Sequence, residues 1–199
     1  MSLLTPMLRT SPLTDWFSDV QRVQGMLDFE AALVRAEVEC GLVPQTALNP
    51  IIESCRHEKI DFAALGQAAA SAGNLAIPLV KQLTARVKER NEAAARYVHW
   101  GATSQDAIDT GFILQLRGAL AETESLLQRL LDALARQAER HQDTVMPGRT
   151  WMQHALPVTF GLKLAGTLDA LLRWQVRLRG CGQGCWRCSL AAQRAPWIP

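Results

Sequence analysis

The sequence predicts an all-α protein whose long helices belong to a helical bundle. Three observations carry this. Residues 106–141 place Ile108, Phe112, Leu116, Leu120, Leu127, Leu131 and Leu134 at steps of threes, fours and sevens. That spacing lines one face of a helix. A helix of that length would span ~54 Å at about 1.5 Å per residue, too long for a small α/β domain. Elsewhere, helix starts and stops recur without alternating strand signals.

The elements follow in order. Asp15 to Cys40 has apolar residues at helical spacing: Val23, Met26, Leu27, Ala31, Val34 and Val38. Gly41 suits the left-handed position that ends helices, and Pro44 follows it. Asp61 caps a shorter segment to Ala70. Pro78 suits a first helical position and opens a helix from Leu79 to about Arg96. The long helix runs from Asp106 to about His141, its leucines core or interface. Pro147-Gly148 breaks the pattern, and a further helix is expected from about Pro157 to Trp174. The expected division is a helical domain over residues 1–100, the start of a central bundle domain over 101–175, and an aberrant tail over 176–199.

Composition narrows the function. Apolar residues make up 48% of the 199-residue chain and charged residues 20%, enough for a core. No apolar run reaches the roughly eighteen residues that span a bilayer. Met1 to Thr14 lacks a basic region followed by an apolar one, so a cytoplasmic enzyme is expected. The net charge is +2, but residues 173–199 hold five arginines and no acid, so the rest carries −3. A basic nucleic-acid face is not supported.

Two blocks carry the chemistry. The first is His99-Trp100-Gly101-Ala102-Thr103-Ser104-Gln105-Asp106, where the long helix begins. Thr103 and Asp106 have capping-box spacing. A helix start offers unpaired N–H groups and a positive dipole end to an anion. The second is Gly148-Arg149-Thr150-Trp151-Met152-Gln153-His154-Ala155. Its arginine fork suits a carboxylate. Together they point to an acidic small molecule; an ordinary capped helix and a polar loop are the plainer alternative.

Both blocks resemble the fumarase/aspartase superfamily. His99 to Thr110 matches its His-x-Gly-x-Thr-Ser-x-Asp-x-x-x-Thr block, and Gly148 to Gln153 its Gly-Arg-Thr-His-x-Gln block, except at Trp151. Tyr97 to Thr110 and Thr150 to Gly161 are most similar to the bacterial branch that lactonises 3-carboxy-cis,cis-muconate. The resemblance covers roughly residues 10–175. It implies all-helical homotetramers with a central multi-subunit bundle and active sites shared among subunits. It implies no metal or organic cofactor, a small tricarboxylate substrate, and no nucleic-acid or membrane partner. Thr103 and Ser104 would bind a substrate carboxylate, joined by Arg149, Thr150 and Gln153. His99 would lie in the same wall, or be structural.

Trp151 stands where superfamily lyases usually carry a histidine. Lyases that expel nitrogen or water need their leaving group protonated. In the cycloisomerase branch the group is a carboxylate, which adds within the molecule to a conjugated double bond. Read in reverse it leaves as an anion of pKa ~4, so a general acid contributes little and tryptophan can take its place. Trp151 is therefore the expected catalytic position; a packing residue that disabled a lyase is the alternative. A carbon–nitrogen lyase such as adenylosuccinate lyase is the second enzyme reading. An inactive helical association module is the third.

The tail differs. Three of five cysteines (Cys181, Cys185, Cys188) and three of six tryptophans (Trp174, Trp186, Trp197) lie in its last 26 residues. Cys181-x-x-x-Cys185-x-x-Cys188 has the spacing of a radical-SAM cluster motif, and zinc is also conceivable. Only three thiolates are offered, and no strand-rich barrel surrounds them. A frameshift between Arg173 and Cys181 accounts for the change better. One permitted back-translation from Trp186 onward reads, in another frame, Leu-Ala-Leu-Gln-Phe-Gly-Gly-Ala-Ala-Gly-Thr-Leu-Asp, a run typical of the cycloisomerase branch. The superfamily's third block, Gly-Ser-Ser-x-Met-Pro-x-Lys-x-Asn, has no match in these residues. It carries the serine central to proton transfer, so this chain alone is expected to be inactive.

Resequencing the gene across the codons for Arg173 to Cys181 is expected to reveal a frame that extends by ~200–260 residues, the size of a multi-unit subunit. That extension should contain a Gly-Ser-Ser-x-Met-Pro block. A confirmed sequence whose other frames stop quickly would refute the frameshift.

Overall fold

The computed structural model describes residues 11–185. The helices are α1 (Leu13–Trp16), α2 (Asp19–Glu39), α3 (Gln45–Ser54), α4 (Phe62–Ala72), α5 (Ala76–Arg90), α6 (Glu92–Ala95), α7 (Ser104–Arg140) and α8 (Phe160–Cys185). A 3-10 turn, His57–Lys59, lies between α3 and α4, and a hairpin of β1 (Val145–Thr150) and β2 (Gln153–Thr159) between α7 and α8. The protein is predominantly α-helical, as its periodicity implied. The described residues form two compact units, 11–116 and 117–185.

The first unit is organised on α2. Its apolar stripe buries Val23, Met26, Leu27, Phe29, Ala31 and Val34, with Val38 half-buried. Burying each large side chain fully contributes about 1.5–3 kcal/mol. Ser18 caps the start by accepting from the Gln21 N–H, which divides the expected Asp15–Cys40 helix into α1 and α2. At the other end Gly41 is left-handed, with φ +72°. The Leu42 N–H donates to the Glu37 carbonyl at 2.9 Å and the Gly41 N–H to the Val38 carbonyl at 3.0 Å, the bond pair of a glycine-terminated helix.

Around α2 pack α3, with Ala47 and Ile51 buried, and α5, with Leu79, Leu83 and Val87 buried one turn apart. The sequence analysis assigns no element to α3, a segment that follows Pro44 and contains Pro50, residues that ordinarily interrupt helices. Yet Pro44 only precedes the helix, and within it the Ser54 hydroxyl donates to the Pro50 carbonyl. Asp61 caps α4 as expected, accepting from the Ala64 N–H at 3.0 Å. Pro78 is the third residue of α5 rather than the first. The Asn74 side chain does the capping, accepting from the N–H groups of Ala76 and Ile77. The expected run to Arg96 is divided by Asn91, which caps α6.

Helices α2 and α7 touch backbone to backbone. A Cβ on Gly25 would lie 2.8 Å from the Gly111 carbonyl oxygen, and one on Gly111 would lie 2.9 Å from the Met26 nitrogen. Near this crossing the buried Gln115 side chain donates to the Trp16 carbonyl at 2.8 Å, which ties α1 to α7.

The second unit contains the later turns of α7, the hairpin and α8. Of the predicted stripe, Leu131 is buried while Leu127 and Leu134 are half-buried. Gln175 donates to Gln128 at 2.8 Å, joining the two helices. The hairpin replaces the loop expected at Pro147-Gly148. Its pairs run from Val145 with Thr159 to Thr150 with Gln153, with a register shift at Pro147/Gly148. Gly148 fits there because a Cβ would meet the Leu156 carbonyl oxygen at 2.5 Å. Helix α8 begins at Phe160, not Pro157, and continues past Trp174 to Cys185. Cys188, Trp186 and Trp197 lie outside the described residues, as do the expectations placed on them.

Gly25→Ala is expected to destabilise the first unit by about 1–3 kcal/mol through overpacking. This outweighs the roughly 1 kcal/mol that alanine gains over glycine within a helix. Urea unfolding followed by circular dichroism checks it; an unchanged or raised midpoint would contradict so close a crossing.

Candidate functional site

The first block forms a tight structure before and at the start of α7. Thr103 and Asp106 make the expected capping box. The Thr103 N–H and hydroxyl both donate to Asp106 Oδ2, at 2.8 and 2.9 Å, and the Asp106 N–H returns to the Thr103 carbonyl at 3.1 Å. Asp106 is buried, so these bonds also offset the desolvation of its charge. Ser104 opens the helix and accepts from the Asn74 side-chain amide at 3.2 Å.

His99 holds a left-handed backbone, φ +58°, two residues before Gly101 at φ +72°. Such a conformation is uncommon for a residue with a Cβ and needs support from its surroundings. The support is an ion pair. His99 Nδ1 lies 2.5 Å from Glu30 Oε1, with Glu30 only 3% exposed and the His99 side chain 16%. Glu30 belongs to α2, as does Glu37 seven residues on, and both are buried. Among the described residues Glu37 Oε2 has no hydrogen-bond partner.

These groups shift one another. Burial pushes the Glu37 carboxyl up to about 7; the Glu30 charge adds to the rise and His99 opposes it. The Glu30 hydrogen bond raises His99 above its ordinary value, burial opposes, and the charges of Glu30, Asp106 and Glu37 add to the rise.

The second block lies in the second unit, on the hairpin tip. Trp151 and Met152 form the two-residue turn, with φ +45° and +64°. A turn left-handed at both positions matches the twist of the strands but ordinarily takes asparagine or glycine. Both side chains project fully, with exposures of 95% and 103%. An open concavity of about 550 Å³ is lined by Arg149, Thr150, Trp151, Met152, Gln153 and His154. A second, of about 370 Å³, lies at the hairpin base and brings Arg149 together with Lys163. The structure thus places Arg149, Thr150, Trp151 and Gln153 around one surface, and His99, Thr103 and Ser104 around the start of α7. Glu30, Asn74 and Lys163 were not singled out by the sequence. Each is brought to its block by packing across many residues, not by local spacing. Among the described residues, no cluster of histidine, cysteine or acid side chains has the arrangement of a metal site. Among the same residues no helix is long and apolar enough to cross a membrane.

The chain matches the model of the lyase family over residues 7–185. It belongs to the lyase family, within the fumarase/aspartase superfamily. Among the lyase-family relatives is a 3-carboxy-cis,cis-muconate cycloisomerase of Pseudomonas aeruginosa, 60% identical over 169 residues, which span 85% of this chain and 37% of the relative. The crystal structure of 3-carboxy-cis,cis-muconate lactonizing enzyme from Pseudomonas putida superposes with a TM-score of 0.88 at 53% identity, covering 90% of this chain and 41% of that one. A nitrosuccinate lyase of Streptomyces davaonensis is 43% identical, over 83% of this chain and 35% of the relative. The chain therefore spans about two-fifths of the length of the cycloisomerases that it matches.

The shifted groups fix a pH dependence. Glu37 releases its proton near 4.5 when unfolded but near 7 when folded, so stability falls as pH rises across that window. The His99 contribution is complete below its unfolded value, about 6.5, and is lost as pH rises through its raised folded value. Both act in the same direction. Thermal melts are expected to show the first unit less stable at about pH 8 than at about pH 5. Glu37→Gln should recover about 4–8 °C of the midpoint at the higher pH, as a gain near 1 kcal/mol would in a unit of this size. A wild-type midpoint that rises with pH would contradict the burial of Glu37.

Proposed function

We propose that this chain supplies part of the active site of a 3-carboxy-cis,cis-muconate cycloisomerase, which closes its substrate to 4-carboxymuconolactone in protocatechuate catabolism. The observation that carries the reading is Trp151 at the hairpin tip, in place of the superfamily's histidine, in a chain 60% identical to a cycloisomerase. A carboxylate that adds to a double bond needs no proton donor at its own oxygen. Trp151 then shapes and dries the site rather than moving a proton. Arg149 and Gln153 bind substrate carboxylate oxygens, with Thr150 beside them. Thr103 and Ser104 offer the start of α7 to another carboxylate, and His99 contributes to the same wall. Fixed donors stabilise the enolate-like intermediate. No metal or organic cofactor is required by this chemistry.

We further propose that the intact protein is a cytoplasmic homotetramer. Supporting this, the second unit exposes Trp151, Met152, Leu156, Leu162, Trp174 and Val176. Apolar surface of that kind is normally covered by another molecule. The serine-bearing third block, absent from these residues, would come from the remainder of the polypeptide.

A chimera tests the activity. Residues 11–175 joined to the remaining length of the Pseudomonas aeruginosa relative should remove the diene absorbance of 3-carboxy-cis,cis-muconate and leave adenylosuccinate intact. Arg149→Ala in that chimera should lower kcat/KM by about 10- to 150-fold, the loss of one charge-assisted contact worth about 1.5–3 kcal/mol. Adenylosuccinate cleavage without muconate turnover would replace this reading with the carbon–nitrogen lyase.

A further inference from the structure

The first unit holds an ionisable cluster of which the proposed chemistry uses only His99. Glu30 is buried on the inner face of α2, sixty-nine residues from His99, and accepts a 2.5 Å contact from its Nδ1. A carboxylate placed in an apolar helix face is costly unless paired. Burial at this position is therefore maintained by something that the apolar stripe alone does not need. His99 in turn holds a left-handed backbone, so its ring is fixed from both ends. Among the described residues Nε2 has no hydrogen-bond partner, whereas Nδ1 is fully engaged. The side chain retains some exposure, and the ring sits a few residues before the capped start of α7.

We propose that Glu30 is a positioning residue: its buried carboxylate fixes the His99 ring and keeps both ring nitrogens protonated, so that Nε2–H is offered as a charged donor to an anionic oxygen of the substrate. The charged groups facing His99 are Glu30 and Glu37 from α2 and Asp106 from α7, all of them carboxyls. Three acids around one imidazole favour its cation. Glu37 is the weakest of these partners, since its own carboxyl is raised to about 7 and is part-neutral at neutral pH. Glu30, in direct contact, sets the state of the ring. The anionic substrate half of this inference rests on the cycloisomerase reading; the Glu30–His99 half does not.

The test is nitrogen-15 NMR of the 199-residue chain labelled at its four histidines, with His99 assigned by His99→Asn. At about pH 7.5 both His99 ring nitrogens should be protonated, with Nδ1–H strongly hydrogen-bonded. Glu30→Gln keeps an acceptor but removes the charge. It should lower the proton affinity of His99 at least about tenfold with the helical circular dichroism unchanged. Because the chain holds only part of the proposed site, the ligand arm uses the chimera: propane-1,2,3-tricarboxylate, a tricarboxylate that cannot cyclise, should shift the Nε2–H signal there and less in its Glu30→Gln form. A neutral His99 ring in the wild type at that pH overturns the proposal, even if Glu30→Gln fails to fold. So does an unchanged titration in a folded Glu30→Gln. A protonated, Glu30-dependent ring that ignores the tricarboxylate overturns the donor role. Failure of the cycloisomerase reading itself shows in turnover by the chimera, not in these spectra.

Discussion

A charged group inside an apolar helix face must be paired, and much of the first unit follows from that requirement. Helix α2 buries Glu30 among the residues that make the core. Its partner, His99, reaches it only because the segment before α7 turns through two left-handed positions. The same turn delivers Thr103 to Asp106, which starts α7 at Ser104. The ion pair and the cap are therefore two ends of one short connection. The Gly25–Gly111 crossing sets how near the two helices come. Removing the Cβ atoms at the crossing lets the backbones approach, and that approach brings the α2 acids within reach of the segment before α7. Core packing and site geometry thus share a single spacing.

What the sequence revealed was local. The cap at Thr103 and Asp106 was legible because its partners are three residues apart, and so were Asp61 and Gly41 at their helix ends. The α2 stripe was legible because periodicity reports burial directly. Glu30 was not, since its partner lies far along the chain and a glutamate on a helix reads as solvated. Helix α3 was hidden by prolines whose effect depends on their place within the turn. The hairpin was hidden more thoroughly. Its strands, Val145–Thr150 and Gln153–Thr159, each contain a proline, and its turn carries Trp151 and Met152 where glycine or asparagine would announce it. The residues of the second block were recognised as a group, but their arrangement around a turn was not.

The two blocks differ in how finished they are. The first is largely braced from within: the Thr103 and Ser104 hydroxyls, Asp106 and His99 Nδ1 each have a partner in the unit, and among the described residues only His99 Nε2 of these groups is left without one. The second is open. Arg149 lines both concavities, and among the described residues no carboxylate pairs with it. Its neighbours at the turn are a tryptophan and a methionine with almost no contact to the rest of their unit. The proposed site, assembled from separate pieces of chain, would combine a cradle braced by its own bonds with an open projecting arm.

The facing prolines of the hairpin, Pro147 and Pro157, bear on a different hazard. An arm with apolar residues at its tip, and with no third strand on it among the described residues, would ordinarily recruit an extended segment it met. Proline has no N–H to offer to such a guest, and the irregular register beside Gly148 bends the ladder where a guest strand would need it straight. The arm therefore presents side chains to a partner while withholding its backbone. Two prolines thus withhold donors that strand addition, the usual route from an exposed hairpin to a fibre, would use.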